Sequence, residues 1–204
     1  MNNMMTIENI SLEDFKRILP LSWSKETCYE SWQKNWSSEN PERGQCYVTT
    51  KLFQKLFGGE IIKAKDSQNI SHYWNKINNT EYDFTRNQYG EDEIFSNQQI
   101  VNSESFNERE VILEKNFFKQ VLKDKGFASI YEWKDEPNVK YEEHAHKGKI
   151  SLYIISGSVT FSGDFNKTLI VGDRFDVPVG VKHSAIVGPD GCEYIVGEEI
   201  EGDS

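Results

Sequence analysis

The chain has 204 residues, 37% apolar, 13% aromatic and 27% charged, which is enough for one or two cored domains and excludes a disordered chain. Its 33 acidic and 23 basic side chains give a net charge of −10, which repels polyphosphate, and no Lys/Arg cluster overrides it, so no nucleic acid is expected as a partner. The longest apolar runs, such as 152–155, stop far short of the roughly 20 residues of a membrane helix, and residues 1–10 lack the pattern of a signal peptide. The expectation is a cytoplasmic protein with no membrane partner. Cys28, Cys46 and Cys192 form an odd set without C-x-x-C spacing, so neither a disulfide framework nor a cysteine zinc site is expected.

In chain order, Ser11 followed by Glu13, Asp14, Phe15, Ile18 and Leu19 predicts a capped amphipathic helix ended by Pro20. Cys46, Val48, Leu52, Phe53, Leu56 and Phe57 recur at helical spacing before Gly58-Gly59, so a second helix starts near Cys46. A short strand follows at 60–65, then a hairpin of 71–77 and 81–86 around Asn78-Asn79. Residues 90–108 are polar and predict a loop, and 107–125 predict a third helix ended at Gly126. Beyond it the pattern changes to short β-branched and aromatic runs at 127–133, 140–146, 150–155, 158–161, 168–171, 174–177, 184–187 and 193–196. Eight strands separated by turn residues predict a sandwich or barrel. The change of character divides the chain into two domains, an α+β domain at 1–125 and an all-β domain at 126–204.

A nucleophilic cysteine works as the thiolate, which the unpaired N–H groups of a helix start favour, and Cys46 stands at such a start. A general base and an orienting group are then required. A two-residue loop at Asn78-Asn79 would set Ile77 opposite Thr80 and His72 opposite Thr85, placing Asp83 diagonally across from His72 on one face. Cys28 and Cys192 are expected to be packing or surface residues.

The ordered motifs Trp23-Ser24-Lys25-Glu26-Thr27, Ser38 to Cys46, Gly58-Gly59-Glu60-Ile61, Ser71 to Asn75 and Tyr82 to Gln88 resemble the bacterial YunG family over roughly residues 10–122. The layout of Cys46 on a helix, His72-x-Trp74 on one strand and Asp83-x-Thr85 on the next is similar to the transglutaminase-like and papain-like cysteine fold. That resemblance implies acyl transfer or amide hydrolysis: Cys46 attacks a carbonyl, His72 shuttles the proton and Asp83 holds the imidazole. Gln45 is the implied oxyanion donor, and Gly44 the residue that lets the backbone approach closely.

Three of the four histidines fall in the second half. His144 and His146 share one face of a strand, and a neighbouring strand can bring His183 to the same point, where neutral imidazoles suit iron, zinc, nickel or manganese. The run Gly172-x5-Pro178-x-Gly180-x2-His183, preceded by His144-x-His146 and Gly157, resembles the cupin superfamily over about 127–200, which implies a small barrel or jelly roll and often a homodimer paired through edge strands. The glutamate that usually follows the second histidine of that motif is missing, since Ile150 and Ser151 stand in its place. Glu142 or Glu143 could supply a carboxylate, although strand parity opposes at least one of them.

Three functions follow from these residues. One is a cysteine-dependent acyl-transfer or hydrolytic domain coupled to a cupin that binds a metal or small ligand. Another is a non-catalytic binding or sensing module, and a third is a metal-dependent cupin oxygenase or isomerase. All three take a small molecule as the partner.

Overall fold

The computed structural model describes residues 10–102 and 107–199. The start of the chain at 1–9, the end at 200–204 and the stretch 103–106 of the expected loop lie outside them. The chain divides into two compact units, one from Ser11 to Phe117 and the other from Phe118 onward, so the division falls within the third helix. No helix among the described residues is long and apolar enough to cross a membrane.

The first unit carries α1 (Leu12–Ser22), α2 (Cys46–Phe57), most of α3 (Glu108–Asp124) and four strands: β1 (Glu60–Lys65), β2 (Ser71–Ile77), β3 (Thr80–Tyr82) and β4 (Ser96–Val101). The strands form one antiparallel sheet in the order β3-β2-β1-β4. Ser11 caps α1 by accepting the N–H of Asp14 at 3.0 Å, and Phe15, Ile18 and Leu19 face inward at helical spacing. Contrary to expectation, Pro20 does not end α1, which continues to Ser22. Pro20 and Lys16 both lie on the exposed face, so water can take the hydrogen bond that the missing N–H leaves on the Lys16 carbonyl. Phe15 is fully buried and meets Phe53, Phe57, Phe84 and Phe117 at ring-centroid distances of 5.0–5.5 Å, which ties α1, α2 and α3 into one aromatic core.

Asn78 and Asn79 both take positive φ, +47° and +68°, as a two-residue hairpin turn requires, and the register is Ile77 opposite Thr80. The predicted second strand is shorter than expected: β3 ends at Tyr82, so His72 has no partner at Thr85. The expected loop at 90–108 contains β4, which adds to the outer side of β1. Its sequence, Ser-Asn-Gln-Gln-Ile-Val, is largely exposed and shows no apolar alternation, so main-chain pairing holds the strand and no periodic signal marks it.

In the second unit the eight predicted strands are six: β5 (Ser129–Asp135), β6 (Lys140–His144), β7 (Ile150–Gly163), β8 (Lys167–Ile170), β9 (Arg174–Val177) and β10 (His183–Glu198). The two predicted breaks at Gly157 and Gly188–Gly191 are irregularities inside long strands, with register shifts between Val187 and Cys192 and between Glu193 and Tyr194. Gly157 has φ +72°, and a Cβ there would lie 1.9 Å from the Gly191 carbonyl oxygen, so only glycine permits this crossing. Strand β7 pairs with β10 along its whole length and with β9 and β8 on its two halves, while β10 likewise takes β5 and β6. Among the described residues β5, β6, β8 and β9 each have a single hydrogen-bonded neighbour, so closure of the expected small barrel or jelly roll is not detected in the strand pairing. Its core is Ile154, Val159, Phe161, Leu169, Ala185, Val187, Tyr194 and Val196.

Candidate functional sites

Cys46 is the first residue of α2 and lines a cleft of about 610 Å³ with Tyr29, Trp32, Arg43, Tyr73, Tyr89 and Arg109 among its walls. The N–H groups of Cys46, Tyr47 and Tyr73 all favour the thiolate there, but burial outweighs them and, with the nearby Asp83 charge, pushes the thiol up to about 12. The expected lowering at a helix start is therefore reversed, because desolvation exceeds the contribution of a few N–H dipoles.

Asp83 lies just beyond β3 and accepts the His72 Nε2–H at 2.7 Å through Oδ2 and the Thr85 N–H at 3.2 Å through Oδ1. Since a carboxylate only accepts, Nε2 carries a proton, and Nδ1 is the nitrogen left over in a ring held this way. That nitrogen is buried without a partner among the described residues. The ring is wholly buried, stacked on Phe95 at 4.8 Å and flanked by Tyr89 at 4.8 Å. His72 and Trp74 share the face carrying Ile62, Ala64 and Phe95, whereas Tyr73 and Asn75 face α2, where Tyr73 meets Tyr47 and Asn75 donates to the Thr50 carbonyl. The structure thus joins His72 to Asp83, while no hydrogen bond links His72 to Cys46.

Gln45 is fully buried, donates from Nε2 to the Ser24 carbonyl at 2.8 Å and does not line the cleft. The donors at the Cys46 sulfur are main-chain N–H groups instead. Cys28 is buried against Gly44, where a Cβ would come within 2.7 Å of its sulfur, and Cys192 is buried in the core of the second unit. Both are packing residues.

His144 ends β6 and pairs with His183, the first residue of β10; His146 follows two residues after His144. One nitrogen from each of the three rings lies within 4.8 Å of the others, so the cluster could hold a metal. The second nitrogen is fixed in two of them. The Nδ1–H of His183 donates to the Val181 carbonyl at 3.0 Å and that of His144 to the Glu142 carbonyl at 2.7 Å, which turns both Nε2 atoms into lone-pair donors. His183 Nε2 is buried with no partner among the described residues. Burial, with smaller contributions from His144 and His183, holds His146 below the usual histidine value and so keeps it neutral at pH 7.

The histidines line a cavity of about 260 Å³. Ile150 faces into it, whereas Ser151 is turned into the fold and accepts from Arg174 Nε at 3.0 Å, so neither replaces the missing carboxylate. Glu143 pairs with Lys182 at the surface, and Glu142 is exposed. Two acids do line the cavity, and the one whose charge reaches His146 is Glu198 on β10, whose carboxylate accepts the Tyr131 hydroxyl at 2.8 Å. The inward alternation Tyr194, Val196, Glu198 was the signal that could have found it. Asp135 closes another part of the wall and is saturated by the Trp133 indole and the Tyr141 and Tyr194 hydroxyls at 2.7–3.0 Å.

Burial raises Cys46 to about 12, Cys192 to about 11 and Tyr131 to about 12, and it raises Tyr89 and Tyr194 further. Each group holds its proton longer folded than unfolded, so its contribution is complete below the unfolded value and is lost as pH rises toward the folded one. Melting temperatures should therefore fall steadily above about pH 9, where unfolded thiols begin to ionise. Calorimetry between pH 8 and pH 10.5 checks this, and a flat profile would contradict it.

The chain combines an α/β unit that seats a cysteine at a helix start with a β unit that gathers three histidines. Residues 11–125 match the model of the YunG protein family, and the chain belongs to that family. Over 78 residues it is 38% identical to the uncharacterized protein YunG of Bacillus subtilis (strain 168), an overlap of 38% of this chain and 63% of that protein. The chain thus spans less than two thirds of the curated relative it matches. Among solved structures, an RmlC-like cupin from Shewanella frigidimarina NCIMB 400 aligns with 36% of this chain and 68% of its own, at 26% identity and a TM-score of 0.32. KdgF from a Halomonas species aligns with 35% of this chain and 69% of its own, at 19% identity and a TM-score of 0.31.

Proposed function

We propose that the protein binds a divalent transition metal through His144, His146 and His183, and that the adjoining cavity receives a small polar molecule. The observation that carries this is the buried, partnerless Nε2 of His183. A buried polar atom without a partner costs on the order of 1–3 kcal/mol, which a metal bond would offset. All three rings fit that role: two have the other nitrogen fixed by a carbonyl, and the third is held neutral by burial. Three imidazoles leave coordination positions open and suit iron, zinc, nickel or manganese, and such a metal would supply Lewis acidity or redox chemistry. Glu198, with Tyr131 fixing its carboxylate, is the acid placed to accept a proton or hydrogen bond from a molecule in the cavity. Equilibrium dialysis against zinc, cobalt and manganese should show one ion per chain; failure to bind any of them sinks the proposal.

A second function is favoured by the partnerless Nδ1 of His72, a base held by Asp83 with nothing to act on. In it, Cys46 attacks the carbonyl of an acyl donor, and its proton passes to His72 once the two side chains come within reach. The N–H groups at the start of α2 receive the developing oxyanion, and collapse expels the amine or alcohol, which takes the proton back from His72. This is the transglutaminase- and papain-like scheme, with main-chain groups in place of Gln45. Because the resting thiol is neutral, alkylation of Cys46 by iodoacetamide should rise throughout pH 7 to 10 without a plateau. An activated ester such as p-nitrophenyl acetate should nevertheless acylate Cys46 faster than Cys28 or Cys192, and His72→Ala should remove at least about tenfold of that rate. Equal labelling of the three cysteines, or no effect of His72→Ala, would end this reading.

A further inference from the structure

The cleft that Cys46 lines also contains two guanidinium groups. Arg43 lies 4.4 Å above the Trp32 ring and Arg109 lies 5.3 Å from the Tyr29 ring centre. Both act on Cys28, lowering its pKa against the stronger effect of burial, so the two charges gather on one side of the cleft. Neither forms an ion pair among the described residues, and Nη1 of Arg109 is buried without a hydrogen-bond partner.

The cleft does contain acids, but they are engaged elsewhere. Asp66 accepts the N–H groups of Gln68 and Ile70 at 3.0 and 2.7 Å, and Glu93 accepts the N–H and hydroxyl of Ser67 at 2.6 and 3.1 Å. The two guanidinium groups thus line the cleft without a salt-bridge partner among the described residues, although the Glu110 charge reaches Arg109. Aromatic faces hold them by the cation–π attraction, which orients a guanidinium while leaving its N–H edges open. That arrangement suits a planar oxyanion, which a guanidinium fork binds through two parallel hydrogen bonds.

We propose that this cleft is a binding site for the carboxylate of a small organic acid, held between Arg43 and Arg109 with the rest of the molecule against Tyr29 and Trp32. A carboxylate is favoured over a phosphate dianion because Asp66 and Glu93 line the same cleft and repel a second negative charge. The site does not depend on the metal, nor on a reactive Cys46, since binding alone is measured.

The test uses the full chain and three probes: hippurate, its neutral amide hippuramide, and phenyl phosphate, followed by titration calorimetry and by the fluorescence of Trp32. Hippurate should bind at least about tenfold more tightly than hippuramide, and Arg43→Gln or Arg109→Gln should each erase that difference, as expected for loss of a charge-assisted hydrogen bond. Arg43→Lys and Arg109→Lys should fall between, keeping the charge and losing the fork. If a glutamine variant does not fold, the comparison of hippurate with hippuramide on the unaltered chain decides. No hippurate binding up to about 10 mM, equal binding of acid and amide, or unchanged binding in folded glutamine variants each overturns the site. Tighter binding of phenyl phosphate than of hippurate overturns its assignment to carboxylates.

Discussion

Gly157→Ala is expected to destabilise the second unit by more than about 4 kcal/mol, enough to prevent its folding at ordinary temperature. Two costs combine. The backbone at Gly157 has φ +72°, where an L-residue with a Cβ loses on the order of 1 kcal/mol. The larger cost is steric, since the new methyl would sit 1.9 Å from the Gly191 oxygen, 2.7 Å from its carbon and 3.0 Å from the Cys192 Cα. All three are main-chain atoms, so relief requires β7 and β10 to separate where they cross. Gly180→Ala is the matched control: its φ of +73° is nearly the same, but nothing lies within 4 Å of its Cβ, and it should cost only about 1 kcal/mol. Urea unfolding followed by circular dichroism compares the two. If Gly157→Ala is within about 1 kcal/mol of Gly180→Ala, the crossing is softer than its geometry indicates.

The second large effect is expected at His183. His183→Ala should weaken metal binding by more than about a hundredfold, because it removes a buried ligand whose free nitrogen is already oriented by the Val181 carbonyl. Without metal, the same substitution should cost little stability. It leaves a hole, but it also removes a buried nitrogen that has no partner, and the two effects oppose one another. The variant therefore separates the ligand from the fold. Saturating metal at about a thousand times Kd stabilises a folded protein by about 4 kcal/mol, a shift of several degrees in Tm, and His183→Ala should abolish that shift while melting near the metal-free protein. Cobalt dialysis with parallel melting curves measures both quantities. Undiminished cobalt uptake by the variant would show that the three rings are not the site.

Features set by local chemistry were legible before the fold was known. Ser11 with Asp14 marks a helix start, and the pair Asn78-Asn79 fixes a hairpin register because both residues tolerate positive φ. The triplet His144, His146 and His183 was legible from the His-x-His spacing and one long-range pairing, although the expected strand 140–146 stops at His144, so parity does not place His146. Features set by the surroundings were not. Nothing in Ser96 to Val101 distinguishes an edge strand from a loop, because main-chain pairing with β1 rather than an apolar alternation holds it. Gly157 looked like the end of a strand, since a sequence shows the freedom of a glycine but not the carbonyl pressed against it. At Cys46 the helix start is local and visible in the sequence, whereas the burial that opposes it is not. Glu198 stands far from the histidines in sequence and enters their cavity only through the pairing of β10.

The triple pairing of β10 also bears on the order of assembly during synthesis. Strands β5, β6 and β7 all hydrogen-bond to β10, which leaves the ribosome after them, while β8 and β9 can attach to β7 beforehand. Until β10 emerges, the nascent sheet has exposed edges, and the histidine cluster lacks His183. The N-terminal unit, complete far earlier in translation, faces no such wait. A slow, chaperone-sensitive step should therefore belong to the β unit, where pairing must wait for the last strand.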